Sequence, residues 1–135
     1  MHLWLKDKKD SNWSSIISVD NGVLSKQFVG AFFGEMKEYC DQYRAMAEVL
    51  YRECSQFVHG NRHSFNGIDG KIEYNPEILT SWVDRADTAM RVVKFTFICR
   101  YLRGANTEQK SELEAVALED FGELPPIQAQ FEGAD

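Results

Sequence analysis

Nine apolar residues, Val29, Phe33, Met36, Cys40, Tyr43, Ala47, Leu50, Cys54 and Phe57, follow one another at spacings that alternate four and three without a break. An α-helix returns to one side every 3.6 residues or so, and this run therefore lays a continuous apolar stripe along about 30 residues of helix. Such a stripe is buried most simply against other helices, which is what bundle packing requires. The spacing predicts a long helix over 25–59, with Ser25 as its N-cap. Gly60-Asn61 follows as a stop, because glycine relieves the left-handed strain at a helix end. Gly30 and Gly34 weaken the first turns and allow a kink or a close helix approach.

A second long helix is expected from Glu77 to about Arg103. Pro76 suits its first turn, and Gly104 ends it. Leu79, Trp82, Val83, Ala86, Met90, Val93, Phe97 and Tyr101 mark its apolar face, with Ile78, Val92, Phe95 and Ile98 widening it. Asn106 with Gln109 three residues on has the form of a capping box and opens a third helix, to about Phe121, with Leu113, Val116, Ala117 and Leu118 inward. The expected fold is all-α: a small bundle with its two long helices antiparallel. Residues 1–24 read as a short irregular element packed by its tryptophans. Residues 25–121 form the bundle, and 60–76 a long turn-rich loop that carries at most a small hairpin. In the tail, 122–135, Pro125 and Pro126 argue for extended chain.

The chain has 135 residues, which fits one domain with a core of its own. Its net charge of −6 offers no general attraction to nucleic acid or an anionic membrane, so any RNA contact needs a local basic patch. Cys40, Cys54 and Cys99 are odd in number and sit in apolar helical stretches. They read as reduced thiols of a cytoplasmic protein. No apolar run approaches the roughly 18 residues of a membrane span.

Candidates for chemistry concentrate in "YRECSQFVHGNRH", residues 51–63. Arg52 and His59 are seven residues apart, nearly two helical turns, and share a face. Leu50 and Arg52 point about 200° apart, so that face lies away from the main stripe. His59 sits where the negative end of the helix dipole favours its protonated form, and a protonated histidine can act as a general acid. Arg52 keeps its charge and can hold a phosphate oxygen in a fork. The same residues also fit a plain helix end: His59 capping the last carbonyls, Gly60 in the left-handed position, Arg52 paired with Glu48 or Glu53. A zinc site from Cys54, His59 and His63 lacks a local fourth ligand. No motif for a cofactor is present.

An arginine, a spacer of six residues ("ECSQFV") and a histidine near the end of a long helix resembles the signature of HEPN domains (higher eukaryotes and prokaryotes nucleotide-binding). The resemblance covers about residues 25–103. It implies a helical bundle and a metal-independent endoribonuclease of a toxin–antitoxin or antiphage system, dimerising so that Arg and His of both subunits line one cleft. His59 would then be the acid–base catalyst and Arg52 the transition-state stabiliser, with Asn61, Arg62 and His63 close enough to assist. Many members carry a polar residue, often asparagine, directly after the arginine; here it is Glu53, whose charge repels phosphate.

The alternative is a catalytically silent helical subunit that docks on a larger defence or nucleic-acid-processing partner. Apolar residues beside the main stripe, Phe28, Phe32 and Tyr39, favour a homodimer or a complex with such a partner. Arg85, Arg91, Lys94, Arg100 and Arg103 make the second helix basic, and Glu108, Glu112, Glu114, Glu119 and Asp120 make the third acidic. Mutual pairing or solvation is the expected use of both.

Overall fold

The computed structural model describes residues 12–58 and 74–132, and these are helical without a strand. The order is α1 (Trp13–Ile16), α2 (Lys26–Phe32), a 3-10 segment (Gly34–Tyr39), α3 (Cys40–Val58), α4 (Pro76–Tyr101), a 3-10 turn (Leu102–Gly104), α5 (Thr107–Phe121) and α6 (Pro125–Phe131).

Sequence-local chemistry fixes most boundaries. The Ser25 hydroxyl accepts from the Phe28 N–H at 3.0 Å and starts α2. The Asn75 side chain accepts from Glu77 and Ile78, with Pro76 in the first turn of α4. Asn106 and Gln109 exchange both bonds of a capping box at the start of α5. Two boundaries differ from expectation. The helix expected over 25–59 is broken: Phe33 adopts φ −146° and ψ 79°, and a 3-10 segment from Gly34 leads into α3. At Gly30 the end of the Lys37 side chain lies where a Cβ would stand, a place that a flexible lysine can vacate. The tail is not extended chain over 125–131. Pro125 and Pro126 occupy the opening turn of α6, where their missing N–H groups have no helical partner to lose, and Ile127 is fully buried.

Despite the break, the stripe from Val29 through Phe33, Met36, Cys40 and Tyr43 to Ala47 is buried without exception. The 4/3 spacing thus reports which side of the chain is covered. It does not report the hydrogen-bond register. Toward its end the stripe leaves the core: Leu50 is half-buried and Cys54 is exposed rather than inward.

Helices α3 and α4 run antiparallel. Tyr43 meets Phe95 and Glu53 meets Arg85, so residue numbers rise along one helix as they fall along the other. The centre of the core is aromatic. Tyr43 and Phe95 stack at 3.7 Å between centroids, and Phe121 of α5 presents its edge to both, at 5.9 and 6.1 Å. Burying one such side chain outweighs any of the surface ion pairs, about 3–5 kcal/mol for truncation of a buried Phe against 0–1 kcal/mol for an exposed pair. The pairs instead set how α5 lies on α4. Lys94 donates to Asp120, and Arg91 donates to Glu123 at 2.9 Å. Of the charges named on the basic and acidic helices, Lys94 and Asp120 pair with each other, while Arg85 and Arg103 pair with Glu53 and Glu35 of other elements.

Candidate functional site

Arg52 projects from the last third of α3 and is exposed. His59, Asn61 and His63, the other candidate catalytic residues, lie outside the described residues, as do Arg62 and positions 60–73 of the loop expected over 60–76. The carboxylates offered to Arg52 are engaged elsewhere. Glu48 lies 3.9 Å from Arg44, and Glu53 accepts from Arg85 at 3.1 Å. Arg52 makes no ion pair or hydrogen bond among the described residues, and its guanidinium has five donors to offer an acceptor. The Glu53–Arg85 pair also offsets the negative charge next to Arg52.

Beside this position α3 and α4 diverge around a groove of about 740 Å³. Met46, Val49 and Leu50 form one wall, Ser81 and Asp84 the other, and the Glu53–Arg85 pair bridges them. Arg85 is further held by the Ser81 backbone carbonyl at 3.1 Å. Immediately before Arg52, Tyr51 stacks on Trp13 at 4.5 Å and pins α1 against the helix that carries Arg52.

The largest departure from expectation is on α4. The stripe marked as the apolar face is outward: Leu79, Trp82, Val83, Met90, Val93, Phe97 and Tyr101 are 47, 65, 49, 53, 61, 47 and 50 % exposed. The buried side is the opposite one, Phe95, Ile98 and Cys99, continued by Leu102. The reason is plain from the helix geometry. Phe95 and Phe97 point about 200° apart, so α4 carries two apolar stripes and the bundle covers one of them. Along the outward stripe Leu79, Val83, Ala86, Met90, Val93 and Phe97 repeat at four and three residues, the spacing of a helix–helix seam. This signal was in the sequence, but periodicity marks a stripe without saying what covers it.

The three thiols divide by environment. Burial pushes both Cys40 and Cys99 above the ordinary thiol range, while Cys54 faces solvent. Among the described residues no group of three His, Cys, Asp or Glu side chains is placed to hold a metal ion, and no helix is long and apolar enough to cross a membrane. Comparison of the chain with known protein families, characterised proteins and solved structures finds no match.

Proposed function

We propose that this chain is a helical assembly module that pairs with a second copy of itself through the outward stripe of α4. The carrying observation is the seam-like 4/3 repeat from Leu79 to Phe97 on the solvent side of the longest helix. A repeat of that kind is matched by another helix, whose side chains fill the holes between its own. Charge favours an antiparallel copy of α4. Arg85, Arg91 and Lys94 are engaged by Glu53, Glu123 and Asp120, which leaves Glu77, Asp84 and Asp87 in its first half and Arg100 in its second. Antiparallel pairing sets acidic half against basic half and opposes the two helix dipoles. A two-fold axis then lets one surface serve both subunits.

Light scattering on purified protein at micromolar concentration is expected to give twice the chain mass. Met90→Glu, a buried charge in the middle of the seam, is expected to give the single-chain mass while its helical circular dichroism is unchanged. Wild-type protein that is a single chain throughout that range overturns the pairing.

A second reading, the metal-independent ribonuclease that the HEPN resemblance implies, is favoured by one observation: Arg52 is exposed and has no partner among the described residues, while the neighbouring Glu53 is neutralised by Arg85. In that reading Arg52 stabilises the transition state and His59 moves the proton to and from the RNA 2′-hydroxyl and leaving group, with Asn61 and His63 assisting. RNA incubated with the protein and EDTA is cleaved, and His59→Ala lowers the rate by about 10² to 10⁴. Intact RNA with the wild-type protein removes this reading and leaves the assembly module standing.

A further inference from the structure

Between α1, the start of α2 and the second half of α4 lies a cavity of about 690 Å³, within the size range of small-molecule sites. Its walls are apolar: Ile16, Val23 and Phe28 on one side, Val92 and Phe97 on the other, with Ala47 of α3 at its back. Among the described residues that line it, Arg100 alone carries a charge. Arg100 also differs from the other cations of its helix. Arg85, Arg91 and Lys94 each meet a carboxylate, and so does Arg103 just beyond α4, on Glu53, Glu123, Asp120 and Glu35. Arg100 meets none among the described residues. Its guanidinium lies over the Phe32 ring at 3.8 Å and near the Tyr101 ring at 4.9 Å. Stacking of this kind uses the face of the guanidinium and leaves its edge donors open to a planar, bidentate acceptor.

We propose that this cavity binds a single-chain amphiphile with a monoanionic head, a long-chain carboxylate, with the alkyl tail between α1 and α4 and the head on Arg100. The tail satisfies apolar walls that are otherwise partly wetted, and the carboxylate supplies an acceptor that Arg100 does not have among the described residues. A cationic head has no complementary group here, because no carboxylate lines the cavity among the described residues.

The test is isothermal titration of the full chain with dodecanoate, butyrate and dodecyltrimethylammonium, each below its micelle concentration. Dodecanoate is expected to saturate, butyrate to show no binding for want of a tail, and the cationic chain to bind at least about tenfold more weakly than dodecanoate. Arg100→Gln is expected to erase the preference between the two long chains. Thr96→Trp, which fills the cavity from α4, is expected to abolish dodecanoate binding at unchanged helicity. If that variant fails to fold, the Arg100→Gln comparison decides alone. Val93 and Phe97 belong both to the outward stripe and to the cavity wall, whereas Met90 does not line the cavity, so repeating the titration on Met90→Glu reads ligand binding apart from self-association. Absence of saturable dodecanoate binding, equal binding of the two long chains by the wild type, or a preference that survives Arg100→Gln overturns the proposal.

Discussion

Individual side chains divide sharply between a small, tight core and an apolar exterior. Tyr43, Phe95 and Phe121 interlock by one stack and two edge contacts, an arrangement that adds about 0.5–1.5 kcal/mol per pair to the area they bury. Cysteine shows the same division in a form that chemistry can read. Cys40 and Cys99 are buried, and burial keeps both thiols protonated at neutral pH. Since the thiolate is the reactive form, they are shielded twice, by access and by ionisation. Cys54 is exposed. A chromogenic disulfide reagent at neutral pH is therefore expected to titrate one thiol of the native protein quickly and all three only after denaturation. Two fast thiols in the native state contradict the placement of the core. The apolar stripe made Cys54 look equivalent to Cys40, because spacing alone does not say where a stripe runs out of neighbours.

Among the elements, those whose start depends on a local hydrogen bond were legible from the sequence. Ser25, Pro76 and Asn106 with Gln109 open α2, α4 and α5 as read, since a helix start is a property of four or five consecutive residues, and the structure adds Asn75 as the cap of α4. What depends on distant parts of the chain was not legible. Glu53 with Arg85, and Lys94 with Asp120, join residues 32 and 26 positions apart that no local pattern links. The catalytic candidates were legible only as a motif, and of the four only Arg52 falls among the described residues. The tail shows how one rule can point two ways. Proline ends a helix from within but suits its first turn, and the apolar Ile127 and Phe131 beyond it are what make a helix worthwhile here. Ile127 is fully buried and Phe131 packs against the same core. Ile127→Ala is thus expected to lower stability by about 2–5 kcal/mol, whereas Gln128→Ala, at an exposed position, should change it by no more than the loss of one side-chain bond to the Gly122 carbonyl, about 0.5–1.5 kcal/mol. Urea unfolding of the two variants checks the ranking; equal midpoints would mean that α6 is not part of the cooperative core.

At the scale of the whole molecule, the perturbed titrations of the core point to alkaline pH. Tyr43, Cys40 and Cys99 are all raised by burial, while Arg91 lies against the Tyr43 hydroxyl and moderates its shift. Lys94 is raised by its bond to Asp120. The sign is the same for each. Below the unfolded-state values, about 8.5 for a thiol and about 10 for tyrosine and lysine, folded and unfolded chains bind the same protons at these groups and stability is independent of pH. Above about pH 8.5 the unfolded chain releases its thiol protons while the folded chain retains those of Cys40 and Cys99. The unfolded state then binds fewer protons, and stability falls as pH rises. The decline should steepen as pH approaches 10, where tyrosine and lysine begin to contribute. Urea midpoints measured at intervals from neutral to alkaline pH are expected to be level at first and then to fall. Cys99→Ala should start from a lower midpoint, because it leaves a cavity, and should decline less steeply through the thiol range. A wild-type midpoint that stays level through that range would show that the two buried thiols ionise in the folded protein as freely as in water. The aromatic cluster beside them would then not be the dry centre on which the docking of α3, α4 and α5 depends.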